Sequence, residues 1–179
     1  MAILPIRTFP DPCLKVPARP IEYFTPHLRR RIQDLIETMR YHPRCVGLAA
    51  PQVGWNARVA VVDTTGHPKA AQTHGLLVLV NPELVAQEGS LIQREGCLSV
   101  PDLTGNVQRA QRLQVKALDI TGTPWTRWLE GFEAVVIQHE FDHLEGKLFL
   151  DRVANLKTDV FRRKQYWFPE QREKLRFSP

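Results

Sequence analysis

Apolar residues in the first quarter of the chain recur every three or four positions, the spacing of one face of a helix. They are Leu28, Ile32, Leu35, Ile36 and Met39. Thr25 stands before Pro26 as an N-cap residue stands before a proline in the first turn, and Pro43 follows the last apolar position. The pattern therefore predicts a helix from about Pro26 to Tyr41.

Short apolar runs in the centre of the chain predict strands. The candidate strands are residues 58–63, 75–80, 112–120 and 125–129. Asn81-Pro82 predicts a turn after the second of them, with residues 83–87 pairing beyond it. The polar stretch 64–74 and the stretch 45–54, which contains two glycines and a proline, predict loops. Five prolines among the first twenty residues predict an extended path over the surface.

Two further helices are predicted toward the C-terminus. Residues 131–143 suit a buried helix that stops near Gly146, and residues 153–166 suit a final basic helix. That last helix would turn four side chains toward the body: Leu156, Val160, Phe161 and Trp167. Strands followed by a core helix predict an α+β fold, in which antiparallel and mixed sheets pack around the central helix between N-terminal and C-terminal helices. Without a repeat or linker, residues 1–179 are expected to form a single catalytic domain.

Composition and charge favour an intracellular globular protein. No apolar run approaches the roughly 20 residues that span a bilayer, and the N-terminus lacks the features of a secretory signal. Three cysteines are too few for a disulfide framework, so a cytoplasmic location is expected. From Arg152 onward, eight basic and three acidic residues hold the whole net charge of +5. Such a tail can attract RNA, although a solvated helix face is the simpler interpretation.

The segment from His139 to His143 carries the strongest chemical signal. Two histidines four residues apart on a helix place both imidazoles on one face, where they can bind one metal ion. Glu140 between them would be free to handle the proton of a water on that metal. Burying two His, a Glu and an Asp within five residues is costly unless something binds them. A metal site is therefore favoured over a core helix that merely carries polar residues.

A catalytic zinc-type site needs a third protein ligand, and the residues leave two sources open. In a zinc-dependent endopeptidase of the His-Glu-x-x-His type the ligand lies downstream. Glu145 lies about 200° around the helix from His143, so Glu170 and Glu173 remain as candidates there. Upstream, Cys97 is flanked by small and polar residues, and a thiolate is a strong ligand for a divalent metal.

Three blocks of the chain resemble the three motifs of peptide deformylases, in order and at similar spacing. The blocks are Gly47-Leu48-Ala49-Ala50-Pro51-Gln52, Glu95-Gly96-Cys97-Leu98-Ser99 and Gln138-His139-Glu140-Phe141-Asp142-His143. The resemblance covers nearly the whole chain, whose length is that of a bacterial enzyme of this type. It implies a hydrolase of protein biosynthesis that removes the formyl group from the N-terminal formyl-methionine of nascent proteins.

The resemblance also implies a role for each residue of the site. The ligand set maps onto Cys97, His139 and His143, with a water as the fourth ligand. The metal is usually ferrous iron in the family, and zinc, nickel or cobalt can replace it. Glu140 would act as general base and then general acid. The side-chain amide of Gln52 and the backbone N–H of Leu98 would stabilise the oxyanion.

Substrate contacts and supporting groups follow from the same comparison. Gly47 would let the loop backbone approach the peptide closely. The candidates for an apolar slot that takes the methionine side chain are Val46, Phe132, Val135 and Val136, each of which also suits an ordinary core role. Asp142 is expected to pair with Arg109, and Glu95 and Gln138 are further candidates for orienting the ligands.

Two positions depart from the family pattern, and two rival functions stay open. Relatives usually carry Gly at the position of Cys45 and often at that of Asp102, so the shapes of both loops and the substrate preference at the entrance are open. Cys45 is expected to be an ordinary buried cysteine rather than a second thiol at the site.

The rival functions are the endopeptidase and a non-catalytic, metal-stabilised protein that binds RNA through its basic tail. The expected partners are formylmethionyl nascent peptides and, through the tail, the ribosome; a monomer without membrane association is expected.

Overall fold

The first helix, α1 (Pro26–Tyr41), begins and ends where the apolar spacing predicts. The structure is a computed structural model that describes residues 2–163. The hydroxyl of Thr25 accepts a hydrogen bond from the backbone N–H of Leu28 at 3.1 Å, which satisfies one of the free donors of the first turn. The apolar face of α1 is buried, and Ile32 and Leu35 are fully shielded from solvent. The helix therefore packs one side of the core.

The described part of the chain contains eight strands, which form two sheets. They are β1 (Gly47–Ala49), β2 (Val59–Val62), β3 (Leu77–Glu88), β4 (Leu91–Cys97), β5 (Val100–Arg109), β6 (Arg112–Leu118), β7 (Pro124–Glu130) and β8 (Val160–Arg162). One sheet has the order β1-β2-β3-β6-β7, and the other has the order β4-β5-β8. Within residues 2–163 every strand pair is antiparallel, so the expected parallel pairing of a mixed sheet is wrong.

The second helix, α2 (Gly131–Leu144), follows β7 directly and is buried along nearly its whole length. Gly146 ends it with a positive φ of 68°, as predicted, and the N–H of Lys147 donates to the carbonyl of Asp142 at 2.8 Å. A Cβ on Gly146 would lie 2.8 Å from the backbone of Lys15, so only glycine lets the N-terminal segment cross there. These contacts fix the end of α2 against the body.

The α+β fold is confirmed, and both α1 and α2 are present. The strands predicted at 58–63, 75–80, 112–120 and 125–129 correspond to β2, the start of β3, β6 and β7. The turn at Asn81-Pro82 is wrong, because β3 continues through these residues with a shift of register and a positive φ of 49° at Asn81. The loop at 45–54 contains β1 and a 3₁₀ helix, Ala50–Val53. The strands β4 and β5 were not predicted.

The predicted helix at 153–166 is wrong over the residues that the structure describes. Residues 152–159 form turns, and Val160–Arg162 adds the edge strand β8 to β5. The Asn155 side chain accepts from the N–H of Lys157 at 2.9 Å, a local bond that competes with a helix. Leu156 is 65% exposed rather than turned toward the body. Residues 164–166 and Trp167 lie outside the described residues.

In the part of the chain that the structure describes, neither helix has the length and the apolar composition needed to cross a lipid bilayer.

Candidate metal centre and active site

Three side chains that commonly bind metals meet between β4 and α2. Cys97 ends β4, while His139 and His143 lie one turn apart on α2, and one ligand atom from each lies within 4.8 Å of the others. The Cys97 sulfur lies 3.2 Å from Nε2 of His143. A register shift between Gly96 and Cys97 bends β4 at this point, as a bulge does when it re-aims a side chain. The donor set and spacing fit a single divalent metal ion.

The charges of the cluster favour the form of Cys97 that binds metals. Burial alone would raise the pKa of the Cys97 thiol, but His143 and His139 hold it well below its usual value. Burial likewise opposes a charge on His139, whereas Cys97 and Glu95 raise its pKa well above the usual value. The cluster thus stabilises a thiolate, the nucleophilic and ligating form of cysteine.

Glu95 fixes the orientation of His139. Its Oε2 lies 2.8 Å from Nδ1 of His139, which leaves Nε2 to face the cluster. Burial would raise the pKa of Glu95, yet hydrogen bonds from Arg109 and His139 lower it to about 2. A carboxylate in that state accepts a hydrogen bond from the Nδ1–H of His139 and so fixes the orientation of the ring.

Arg109 connects Glu95 to the helix that carries both histidines. Its Nε and Nη2 donate to the two oxygens of Glu95 at 2.6 and 2.9 Å, and its Nη1 donates to Asp142 at 2.7 Å. Arg152 donates to the other oxygen of Asp142 at 2.7 Å. The expected pair of Asp142 with Arg109 is present. The expected contribution of Gln138 is different: it accepts from the N–H of Ala110 at 2.9 Å and ties α2 to the end of β5.

Glu140 lies beside the three candidate ligands. It is buried, and within residues 2–163 its Oε2 has no hydrogen-bond partner, as is also true of Nδ1 of His143. Burial raises the pKa of Glu140 to about 7. A Cβ on Gly47 would overlap Oε1 of Glu140, so the glycine allows the β1 backbone to pass directly over the carboxylate. A buried carboxyl group poised near neutrality suits proton transfer.

Gln52 turns its amide donor toward the same centre. Its Oε1 accepts from the N–H of Ala49 at 2.9 Å, which fixes which end of the amide carries the protons. Its Nε2 then donates to the sulfur of Cys97 at 3.3 Å and to the hydroxyl of Ser99 at 3.2 Å. Ser99 is a site residue that sequence analysis did not single out, although it closes the second motif.

A cavity of about 720 Å³ opens beside the cluster. Its walls include every residue predicted to bind substrate, namely Val46, Gly47, Phe132, Val135 and Val136. Gln52 and Leu98, the predicted oxyanion donors, line it as well. His67 stacks on the Phe132 ring with centroids 4.3 Å apart and was not predicted, because it belongs to a polar loop without a motif. The structure therefore places the apolar candidates on the cavity wall, while Val136 also belongs to a buried apolar cluster against which Val46 and Phe132 pack.

The cysteine that departs from the family pattern borders this cavity without joining the cluster. The positive φ in its loop, 65°, falls on Arg44, so Cys45 needs no strained backbone. Its thiol donates to the carbonyl of Gly47 at 3.1 Å, and burial raises its pKa to about 12. Cys45 thus remains a protonated thiol.

The second departure acts through its backbone. Asp102 is exposed on β5, and its carbonyl accepts from the N–H of Arg163 at 2.8 Å. Arg163 and its neighbour Arg162 are thereby brought to the wall of the cavity. The position of these two arginines could not be predicted from the sequence, because residues 153–166 were predicted to form a helix rather than a strand beside β5.

The downstream ligand of an endopeptidase finds no support among the described residues. Glu145 lies on the surface, where it pairs with Arg58 at 2.7 Å. Glu170 and Glu173 lie outside the part of the chain that the structure describes. The cluster of Cys97, His139 and His143 offers one sulfur and two nitrogen atoms to a divalent metal ion, which is the arrangement expected of a metal-dependent hydrolase.

Comparison with known proteins assigns the family. The polypeptide deformylase family model matches residues 3–159. A peptide deformylase from Alkalilimnicola ehrlichii is 46% identical over 164 residues, which cover 92% of this chain and 89% of that protein. The chain belongs to the polypeptide deformylase family, whose members hydrolyse the formyl group from N-formylmethionyl peptides. It is therefore a peptide deformylase that acts in protein biosynthesis.

Solved structures agree with this assignment. A crystal structure of a peptide deformylase from Legionella pneumophila superposes with a TM-score of 0.79 at 44% identity, covering 87% of this chain and 89% of that one. A Met-Ala-Ser-bound structure of a class I type b peptide deformylase from Acinetobacter baumannii gives a TM-score of 0.79 at 34% identity, covering 85% and 99%.

Proposed function

We propose that this chain deformylates nascent peptides with Glu140 as its proton-transfer group and with Cys97, His139 and His143 as its metal ligands. The observation that supports this most directly is the buried Oε2 of Glu140, which has no hydrogen-bond partner among residues 2–163 and lies beside the three ligand atoms at the cavity wall. Residues 1–179 would act as one catalytic domain.

The metal is proposed to be Fe²⁺, with Zn²⁺, Ni²⁺ or Co²⁺ as substitutes. The mixed thiolate and imidazole set accepts all of these ions, and the preference for iron rests on the family resemblance. A metal held there would supply Lewis-acid activation of water and polarisation of the formyl oxygen. Glu95 and Arg109 keep His139 in the orientation that this needs.

Glu140 handles the proton in both halves of the hydrolysis. As water adds to the formyl carbon, the carboxylate takes its proton; it then gives that proton to the departing amine, and formate and a free N-terminal methionine result. A pKa near 7 suits a group that must accept and return a proton at neutral pH. The Gly47 backbone above the carboxylate holds it in place.

Gln52 and Leu98 stabilise the oxyanion of the tetrahedral intermediate. The amide of Gln52 is oriented by Ala49 before any substrate arrives, so its Nε2 already faces the centre. There it would exchange its contact with Cys97 or Ser99 for one with the oxyanion. Leu98 follows the ligand Cys97 directly and borders the same cavity, which suits its backbone N–H as the second donor.

The methionine side chain occupies the apolar part of the cavity. Phe132 and Val136 lie on α2 two turns and one turn before the histidines, and Val46 and Val135 complete the slot. The stacked ring of His67 covers Phe132 from outside. The Met-Ala-Ser ligand named for the Acinetobacter relative supports a methionyl peptide as occupant.

Nascent chains are the proposed partners, and ribosome contact is proposed through the basic residues at the end of the chain. Deleting residues after Arg163 spares β8 and removes Lys164, Arg172, Lys174 and Arg176. Co-sedimentation with ribosomes should fall in this variant, and unchanged co-sedimentation would refute the contact. The enzyme is further proposed to be a cytoplasmic monomer.

The roles of Glu140 and Gln52 are tested by comparing their variants at equal metal content. Glu140→Gln removes the proton acceptor and should lower kcat by about 10² to 10⁴-fold. Gln52→Ala removes one oxyanion donor and should lower kcat by about 10² to 10³-fold with little change in KM. A fully metal-loaded Glu140→Gln enzyme with wild-type kcat would overturn the proposed role.

A further inference from the structure

The mouth of the catalytic cavity is lined by cationic side chains. They are Arg44, Lys69, Arg94, Arg162 and Arg163. The acidic residues of the same lining are Glu95 and Glu140, both buried at its base. Glu95 is already held by Arg109 and His139. The outer part of the cavity therefore carries a strong excess of positive charge.

Most of these cations are not neutralised by neighbouring carboxylates. Within residues 2–163, no carboxylate oxygen lies within 4.0 Å of Lys69, Arg94, Arg162 or Arg163. Elsewhere on the surface, comparable basic residues do have such partners: Lys15 pairs with Asp151 at 2.6 Å. The positive field at the mouth is thus available to a ligand.

Several of the cations are held in position by uncharged contacts. Nε of Arg94 donates to the hydroxyl of Thr104 at 3.0 Å, and its guanidinium stacks 3.9 Å above the Phe161 ring. Arg163 lies so close to the backbone beside Cys97 that a Cβ on Gly96 would overlap its guanidinium. These two arginines flank the cavity on the side of β4 and β8.

Lys69 lines the same cavity beside Phe132. Its ammonium lies 5.8 Å from the centroid of the Phe132 ring, on the loop whose His67 stacks on the same ring. A peptide whose methionine fills the slot at Phe132 continues along the cavity wall that Lys69, Arg94 and Arg163 line. One extended residue spans about 3.3 to 3.6 Å, so the first residues after methionine pass these groups.

We propose that this mouth selects formylated peptides with Asp or Glu in the positions that follow methionine. The inference rests on the proposed deformylase function and adds a substrate class to it. Ribosomal RNA is the other polyanion that such cations could meet. An acidic peptide is favoured because the cations line the wall of the substrate cavity itself and border the residue beside Cys97.

The test uses three amidated peptides, so that no terminal carboxylate interferes: formyl-Met-Glu-Glu, formyl-Met-Gln-Gln and formyl-Met-Lys-Lys. At low salt, kcat/KM for the Glu peptide should exceed that for the Gln peptide by about tenfold or more, mainly through KM, and the Lys peptide should be the poorest. In 0.5 M salt the differences should shrink to within about threefold, because exposed charges are screened.

A matched pair of variants separates the mouth from general charge. The double variant Lys69→Gln and Arg163→Gln should abolish most of the preference for the Glu peptide. The control double variant, Arg127→Gln with Lys157→Gln, removes the same charge from exposed positions outside the cavity and should retain the preference.

Equal hydrolysis of all three peptides by the wild-type enzyme would overturn the inference and leave the proposed function standing. Hydrolysis of none by a metal-loaded enzyme would overturn both. Unchanged peptide kinetics in the mouth variant, with weakened ribosome binding, would replace the peptide by RNA.

Discussion

Glu95 and His139 form a buried hydrogen bond of 2.8 Å between Oε2 and Nδ1, although they lie on different elements 44 residues apart. The bond joins the motif of β4 to the motif of α2. Glu95 lies two positions before Cys97, so the bond also links the orientation of one proposed metal ligand, His139, to the segment that carries another, Cys97. The arrangement means that the two motifs must dock before the three ligands can act together.

Replacing Glu95 by Gln should weaken metal binding without removing a ligand. The amide can no longer offer two charged oxygens to His139 and Arg109, so the imidazole is held less firmly. Such changes typically reduce metal affinity by about 10 to 100-fold. Competition with a chromogenic chelator measures this. Glu88→Gln alters an exposed glutamate paired with Arg112 and should have wild-type affinity; equal affinities for both variants would contradict the account.

Arg109→Ala should be strongly destabilising. It leaves Glu95 without its main partner and removes one of the partners of Asp142, all in the interior, and breaking a buried pair costs about 3 to 5 kcal/mol. Urea unfolding of the metal-loaded protein gives the free energy of unfolding. Arg112→Ala, which removes an exposed pair at 3.3 Å, should cost about 1 kcal/mol or less. A small loss in Arg109→Ala together with unchanged metal content and activity would refute its supporting role.

Gly47→Ala should lower activity at retained metal content. The new methyl group would overlap Oε1 of Glu140 and approach Cγ1 of Val136 to 2.8 Å, so the carboxylate must move. A displaced base loses much of its about 10² to 10⁴-fold contribution. Gly66→Asn provides a control. Apart from its two chain neighbours, no described residue has an atom within 4 Å of a Cβ at Gly66, and asparagine tolerates its positive φ. Wild-type kcat in Gly47→Ala would show that the contact is not critical.

The buried carboxyl of Glu140 should make the metal-free protein less stable as the pH rises. Its pKa is about 7 in the fold and near 4.5 when exposed, so between these values the folded state holds a proton that the unfolded state has released. The free energy of unfolding should therefore fall by about 3 kcal/mol between pH 4.5 and 7 on account of this group.

Glu140→Gln should remove that part of the pH dependence. After chelation, the variant should match the wild type near pH 4.5 and exceed it in stability at pH 8, because the wild type alone carries a buried charge there. Urea titrations of both proteins at each pH decide the matter. Parallel stability curves over the whole range would mean that Glu140 does not titrate as described.

The two cavity cysteines should behave differently. Cys97→Ala removes a proposed ligand and should abolish stoichiometric metal binding, whereas Cys45→Ala should retain both metal and activity. Cys45, with a pKa raised to about 12, should also react slowly with iodoacetamide at pH 7. Metal analysis of the two purified variants, with alkylation followed by mass spectrometry, checks both statements. Loss of metal in Cys45→Ala would make it a second thiol of the site.

Some parts of the structure could be predicted from contacts local to the sequence, and others from the family resemblance. The two histidines of α2 and the apolar face of α1 follow from helical spacing alone. The resemblance of three motifs to those of the family predicted that Cys97 and Gln52 lie close to the two histidines. In the structure Cys97 lies beside both histidines, and Gln52 donates to Cys97. The pairing of Asp142 with Arg109 followed from the same resemblance.

The features that could not be predicted depend on pairing between distant segments. β8 exists because Val160–Arg162 meets the free edge of β5, a partner that spacing does not reveal. The same strand brings Arg163 over Gly96, and the loop at 64–74 brings His67 and Lys69 to Phe132. The character of the cavity mouth is thus a property of the folded chain.

The measurement that tests the account most directly is formate release from a formyl-Met-Ala-Ser peptide by anaerobically purified enzyme, with its metal content determined in parallel. The account predicts rapid release that scales with the fraction of metal-loaded sites and is lost in Glu140→Ala at the same metal content. Absence of formate from a fully metal-loaded wild-type enzyme would contradict it, as would equal release by Glu140→Ala.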